Sequence, residues 1–175
     1  VDAGETIDLD GWKVKTALLD HGLTSYGYRV EEPPRPGKLK VEELQRLNIP
    51  PGPLYGQLKR GETVFLEDGR VLHGRDFVEP PVPGRCVVIL GDTRFSPAAA
   101  LLAQDADVLV HEATFEAQLA ENARAYYHST TVQGARVAVQ ANARKLVLSH
   151  ISSRYLPPDY DLLLSEAQAV FPSTI

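Results

Sequence analysis

The spacing of apolar positions changes rhythm twice along this chain. WKVKTALLDH (12–21) alternates and then turns apolar, and YGYRVEE (26–32) alternates again. A period of two puts successive side chains on opposite faces, so both read as strands, with Gly22 near the turn between them. From EEPPRPGKL onward the periodicity is lost. Residues 33–85 hold nine of the thirteen prolines and seven of the thirteen glycines, too many turn formers for a core segment. Short ordered pieces are still expected there. VEELQRLN sets Val41, Leu44 and Leu47 on one face of a short helix, and ETVFLEDGRVLHG reads as a hairpin turned at Asp68-Gly69.

Beyond that excursion, strand and helix patterns alternate, as an α/β fold requires. RCVVILGD is a strand, and SPAAALLAQ a helix with Ser96 as N-cap and Pro97 at its first position. ADVLVHEAT is a strand, followed by helical EAQLAENARAYY and STTVQGARVAVQANA. KLVLSH is a strand, and DYDLLLSEAQAVF a helix that ends before Pro172. The expected organisation is core strands over 1–32, a flexible arm over 33–85 and core again over 86–175.

Composition adds limits. With 175 residues and an apolar fraction of 43%, one domain with a true core is expected. No apolar run approaches the roughly 20 residues of a membrane span, and no leader pattern opens the chain. A single cysteine, Cys86, excludes an internal disulfide and fits a reducing, cytoplasmic setting as a buried structural thiol. The net charge of −5 argues against generic adhesion to nucleic acid. The arm differs, holding nine Lys/Arg against seven Asp/Glu, while the remainder holds nine against sixteen. If any part of the chain meets phosphates, the arm is the better candidate. The chain contains no methionine and opens on Val1, which points to a piece of a longer protein or a processed start.

The chemistry gathers where strands end. LLDHG, LGDT, VHEAT and LSHISSRY each close an apolar run on polar residues. Ligands in open α/β folds bind beyond the carboxyl ends of strands. His21, Asp92, His111, Glu112 and His150 occupy such ends, and His128 opens a helix; only His73 lies in the arm. Imidazoles and a carboxylate suit zinc, and an Asp can bridge two ions through its two oxygens. Each histidine could instead serve only to cap a helix or tie a loop. His21, Asp92 and His150 are 71 and 58 residues apart, with no compact H-x-H cluster anywhere.

GDTR, DADVLVHEATF, YYHSTT and LVLSHISSRY, in this order, resemble the C-terminal half of the ribonuclease Z family of tRNA 3′-end processing endonucleases. DHGLTSYGYRVEE, NIPPGPLYGQLKRGETVFLEDGR and PPVPGR fall in the family's order as well. The resemblance implies a metallo-β-lactamase αββα sandwich carrying two zinc ions. On it, His21, Asp92 and His150 would be metal ligands, with Asp92 bridging. Glu112 and His128 would form a pair that protonates the leaving 3′ oxygen. Ser129 and Thr130 would cap the next helix or touch substrate, and Arg154 would meet a phosphate or make a surface ion pair. The arm would grip precursor tRNA through the turn at Gly52-Pro53 and the basic residues Lys38, Lys40, Lys59 and Arg60. A homodimer in the cytoplasm, away from any membrane, is also implied.

The family's H-x-H-x-D-H motif is absent from these 175 residues, and FPSTI stops short of the family's last strand. The chain reads as the second half of such an enzyme, inactive by itself. Two other readings follow from the same residues: an RNA-binding half that no longer cuts, and a different phosphodiesterase of the superfamily.

Overall fold

The computed structural model describes residues 4–175, so the first three positions of the expected leading core segment lie outside the described residues. The chain divides into two compact units, one formed by the stretch up to Glu32 with Arg85–Ile175, the other by Pro33–Gly84. In chain order the strands are β1 (Thr6–Leu9), β2 (Trp12–Leu18), β3 (Tyr26–Glu31), β4 (Thr63–Phe65), β5 (Val71–His73), β6 (Cys86–Leu90), β7 (Val108–Glu112) and β8 (Leu146–Ser149).

The larger unit is built on one six-stranded sheet in the order β1-β2-β3-β6-β7-β8. Strands β1, β2, β3 and β6 pair antiparallel, whereas β6, β7 and β8 run parallel. The periodicity did not suggest β1. Its signal was the turn Asp10-Gly11, where both residues have positive φ (51° and 85°), the conformation that closes a two-residue hairpin.

Helices α4 (Pro97–Leu102), α5 (Ala120–Ala125), α6 (Thr131–Gln140) and α7 (Tyr160–Gln168) complete this unit. Ser96 caps α4 by accepting from the Ala98 amide at 3.2 Å, with Pro97 at the first position. Thr130 caps α6 in a reciprocal box with Gln133. Helix α4 lies over β2 and β3, and α6 over β7 and β8. Between them Val88, Leu90, Leu102, Leu109, Val137, Ala138 and Leu146 form the core with a run of alanines that lets helix and sheet approach closely. Cys86 is buried there, and burial pushes its thiol pKa up.

The register assigns the other face of the same sheet to Val14, Val30, Val87 and Val108 in one row and to Tyr28, Ile89 and Val110 in the next. That face is apolar, yet Tyr28 is 43% and Ile89 48% exposed. A sheet that is hydrophobic on both faces is a layer made to be packed on both sides.

The smaller unit contains α1 (Val41–Arg46), α2 (Pro53–Lys59), α3 (Gly74–Phe77) and the β4–β5 hairpin, closed on a core of Leu44, Ile49, Leu58 and Leu72. The excursion therefore has a small core of its own. Of the three residues expected on the inner face of α1, only Leu44 is buried; Val41 and Leu47 are exposed, since six residues make too few turns to bury a stripe. Pro-Pro-Gly-Pro, expected as a turn, also starts a helix: Gly52 is the N-cap of α2 and Pro53 its first residue.

Candidate functional site

Strand β2 is antiparallel to β3, and β3 to β6, so β2 points the same way as β6, β7 and β8. The carboxyl ends of all four therefore lie at one edge of the sheet, and the residues that follow them (His21, Asp92, Thr114, His150) converge. At Gly91 an added Cβ would stand 2.7 Å from Ser25 Oγ, so glycine there lets the chain before β3 close against the strand end that delivers Asp92.

Glu112 is the hub. The residue is 1% exposed, and both carboxylate oxygens are fully used. Oε1 accepts from the Thr93 amide at 3.1 Å and from His128 Nδ1 at 2.9 Å. Oε2 accepts from the Thr114 amide at 3.1 Å and its hydroxyl at 2.8 Å. Burial of a carboxyl group is tolerated where both oxygens are hydrogen-bonded to this degree. Because its hydroxyl hydrogen goes to Glu112, Thr114 Oγ1 can accept from His150 Nδ1 at 2.9 Å. His150 Nδ1 also stands 3.5 Å from Asp92 Oδ1, and its backbone is left-handed at φ 52°. Backbone of this kind persists only where surrounding contacts hold it.

The rings line up: His21 to His128 at 5.2 Å between centroids, His128 to His150 at 5.3 Å. His21 Nδ1 donates to the Tyr127 carbonyl at 2.9 Å. All three imidazoles thus engage Nδ1 and leave Nε2 with its lone pair, the arrangement in which metal-binding histidines are oriented by an acceptor behind them. One ligand atom from each of Asp92, His128 and His150 lies within 4.8 Å of the other two, close enough for a shared cation. Asp92 pairs with no arginine or lysine among the described residues. The donor set therefore fits a metal ion. The expected trio was His21, Asp92 and His150; the structure places His128 rather than His21 inside this spacing.

Other expected residues are placed as follows. Ser129 and Thr130 are buried: the first donates to the Thr93 carbonyl at 2.7 Å, the second caps α6, so both have structural partners. Arg154 lies over the Phe115 ring at 4.7 Å and makes no ion pair among the described residues. His111, at the same strand end as Glu112, is fully buried; Nδ1 donates to the Glu112 carbonyl at 2.7 Å, and burial holds its pKa below the usual imidazole range. His73 sits in the smaller unit, with Nδ1 3.1 Å from the Thr63 hydroxyl.

Within the smaller unit Lys40, Lys59 and Arg60, with Arg75, line a cavity of about 560 Å³. Gly52 and Pro53 are exposed at the opposite end of α2, and Lys38 is exposed outside that lining. An added Cβ on Gly52 would meet nothing within 4 Å, so the unit's own packing does not demand a glycine there.

Sequence reasoning overlooked Thr114, Tyr127 and Arg94. Arg94 donates from Nη2 to Asp20 Oδ1 at 2.8 Å and covers the Tyr127 ring at 4.5 Å. The stretches GDTR, HEAT and YYHST contained all three.

No protein-family model matches the sequence. Curated relatives do. The ribonuclease Z of Anoxybacillus flavithermus is 56% identical over 160 residues, which are 91% of this chain and 51% of that protein. The ribonuclease Z of Geobacillus kaustophilus is 52% identical over 174 residues, 99% of this chain and 57% of that one. The chain thus spans about half the length of the curated relatives it matches. Among solved structures, the metallo-β-lactamase fold protein YhfI from Bacillus subtilis matches with a TM-score of 0.62 at 16% identity, over 99% of this chain and 50% of its own. The short form of human tRNase Z matches with a TM-score of 0.50 at 24% identity, over 85% of this chain and 39% of its own. At these identities the structural matches establish the fold, a metallo-β-lactamase type.

Proposed function

Because this chain is a homologue of ribonuclease Z over about half of that protein's length, we propose that its strand-end site belongs to an endoribonuclease that removes the 3′ trailer of precursor tRNA. The observation that carries the reading is the buried Glu112 carboxylate holding His128 Nδ1 at 2.9 Å beside Asp92 and His150.

Hydrolysis adds water at phosphorus and breaks the bond to the 3′ oxygen, which leaves as an alkoxide and needs a proton. His128 supplies it from Nε2 when the ring is an imidazolium, while Nδ1–H stays on Glu112. The buried Glu112 carboxylate accepts the Nδ1 proton and fixes the ring's direction. Two zinc ions, when bound, would neutralise charge on the phosphate and activate the attacking water. His21, Asp92 and His150 would hold them, together with ligands of an H-x-H-x-D-H segment that these 175 residues do not contain. The apolar sheet face through Val87 and Ile89 would pack on the second sheet of the sandwich.

A second reading has a specific observation in its favour. His128 lies within ligand spacing of Asp92 and His150, so it could be a ligand with Glu112 behind it, as carboxylates often stand behind metal-bound histidines.

The 33–84 unit would be the tRNA-holding arm. Its basic cavity offers cations to backbone phosphates, and the uncrowded Gly52 lets a phosphate ribbon approach the start of α2. Action in the cytoplasm as a homodimer completes the proposal; no helix among the described residues is long and apolar enough to cross a membrane. Incubation of the purified protein with a precursor tRNA, followed by mapping of the product's 3′ end, tests the reading. A single cut near the discriminator, abolished by a chelator and restored by zinc, is expected. Cleavage of a small phosphodiester but not of precursor tRNA would instead assign the chain to another phosphodiesterase of the same fold.

A further inference from the structure

The His21 side chain is held from behind by a backbone carbonyl, and that carbonyl belongs to a residue in an unusual conformation. A carbonyl oxygen can only accept, so the 2.9 Å contact from His21 Nδ1 to the Tyr127 oxygen requires the proton on Nδ1. The lone pair is then on Nε2. Tyr127 adopts φ 62° because it ends α5: its amide donates to the Arg124 carbonyl at 3.4 Å and the next amide, of His128, to the Ala123 carbonyl at 2.8 Å, a helix-closing pair that calls for left-handed backbone.

The helix end sets the backbone angle, and separate contacts hold the ring. Arg94 lays its guanidinium over the Tyr127 ring at 4.5 Å. The guanidinium is anchored by Asp20 Oδ1 at 2.8 Å, and the Arg94 amide donates to the Asp20 carbonyl at 2.8 Å. Against the ring lies Gly22, where a Cβ would stand 3.2 Å from Tyr127 Cδ2. Asp20 and Gly22 flank His21, so the residues that grip the Tyr127 ring are the chain neighbours of the histidine its carbonyl orients. The next residue after Tyr127 is His128, whose ring is 5.2 Å from that of His21. One peptide therefore sets the positions of two functional imidazoles.

We propose that Arg94 and Tyr127 form a positioning clamp that locks His21 in the Nδ1–H tautomer with Nε2 presented to a metal ion. The use of the presented nitrogen rests on the reading of His21 as a ligand; the lock itself does not. Arg94 acts through Tyr127, and Tyr127 through its main chain rather than its hydroxyl.

Long-range 1H–15N spectra of the metal-stripped whole protein at pH 8 read the tautomer of each histidine. His21 is expected almost wholly as Nδ1–H. In Arg94→Ala it becomes a mixture of tautomers, and Arg94→Lys, which keeps the charge for Asp20 but loses the planar stack, gives the same result in part. Tyr127→Phe, which keeps both ring and carbonyl, leaves the His21 signals unchanged. The buried His111 ring, bonded to its own strand, keeps its shifts in every variant, which separates loss of the clamp from loss of the fold. Competition with a chromogenic chelator is expected to show zinc affinity lowered about tenfold in Arg94→Ala, within the usual range for removing an orienting partner. An unchanged His21 tautomer in both Arg94 variants would overturn the clamp. A shifted tautomer with zinc affinity unaltered in Arg94→Ala and in His21→Ala would leave the clamp standing and remove His21 from the ligands.

Discussion

One hydroxyl joins Glu112 to His150: Thr114 Oγ1 donates to Glu112 Oε2 at 2.8 Å and accepts from His150 Nδ1 at 2.9 Å. The residue proposed to orient the proton donor and a residue proposed to bind metal are thereby parts of one network, held at the ends of adjacent parallel strands.

Thr114→Val tests that bridge at almost constant volume. The variant removes the acceptor behind His150, which is expected to lower zinc affinity roughly tenfold or more, as for other residues that orient a ligand. The loss is measured by chelator competition. It also withdraws one hydrogen bond from a buried carboxylate, so a fall in stability of about 1 kcal/mol should accompany it in urea unfolding.

His111 sets an acid limit on stability. Its ring is fully buried, Nε2 has no partner among the described residues, and burial lowers its pKa from 6.5. The unfolded chain binds a proton near pH 6.5 while the folded chain does not, so the unfolded state gains protons first. Stability contributed by the neutral ring is therefore complete above about pH 6.5 and lost as pH falls below it. Unfolding midpoints from pH 8 to 5 should decline, and His111→Asn, which cannot titrate there, should decline less.

The proposed arm is tested by charge reversal. Lys59→Glu with Arg60→Glu places two negative charges on the cavity of the smaller unit. Binding of precursor tRNA should weaken, and its salt dependence should flatten by roughly one unit for each phosphate that is no longer neutralised. Hydrolysis of a small phosphodiester should be unaltered. Equal loss of both activities would mean that this unit supports the fold rather than the substrate.

The open sheet face makes a separate demand. Ile89 is 48% exposed and Leu101, on α4, 77% exposed. If a second layer covers the sheet in the whole protein, Ile89→Lys buries a charge and should lower the thermal midpoint by several degrees or more, since about 1 kcal/mol corresponds to about 2–4 °C at this size. Leu101→Lys should cost almost nothing. Equal, small effects would argue that the face stays open.

Much of the candidate site could be read from the chain because its residues sit at the ends of apolar strands: the apolar runs that predict β6, β7 and β8 also fix where Asp92, Glu112 and His150 emerge. The helix caps were legible for the same local reason. Tyr127, Arg94 and Thr114 were not, because their roles depend on a carbonyl, a stacked guanidinium and a shared hydroxyl whose partners are distant in sequence. A left-handed tyrosine carries no compositional signal at all. Strand β1 has no clear alternation and is signalled only by the Asp10-Gly11 turn, whereas Gly52-Pro53 reads as a turn and instead opens helix α2.

The central claim is that His128 moves a proton and does not hold metal. The most direct measurement is the zinc-to-protein ratio of His128→Ala, taken beside its turnover on precursor tRNA. The account predicts zinc content equal to that of the unaltered protein with turnover reduced about 10²–10⁴-fold, the usual worth of a positioned proton donor. Loss of zinc in proportion to the loss of turnover would contradict it and make His128 a ligand beside Asp92 and His150.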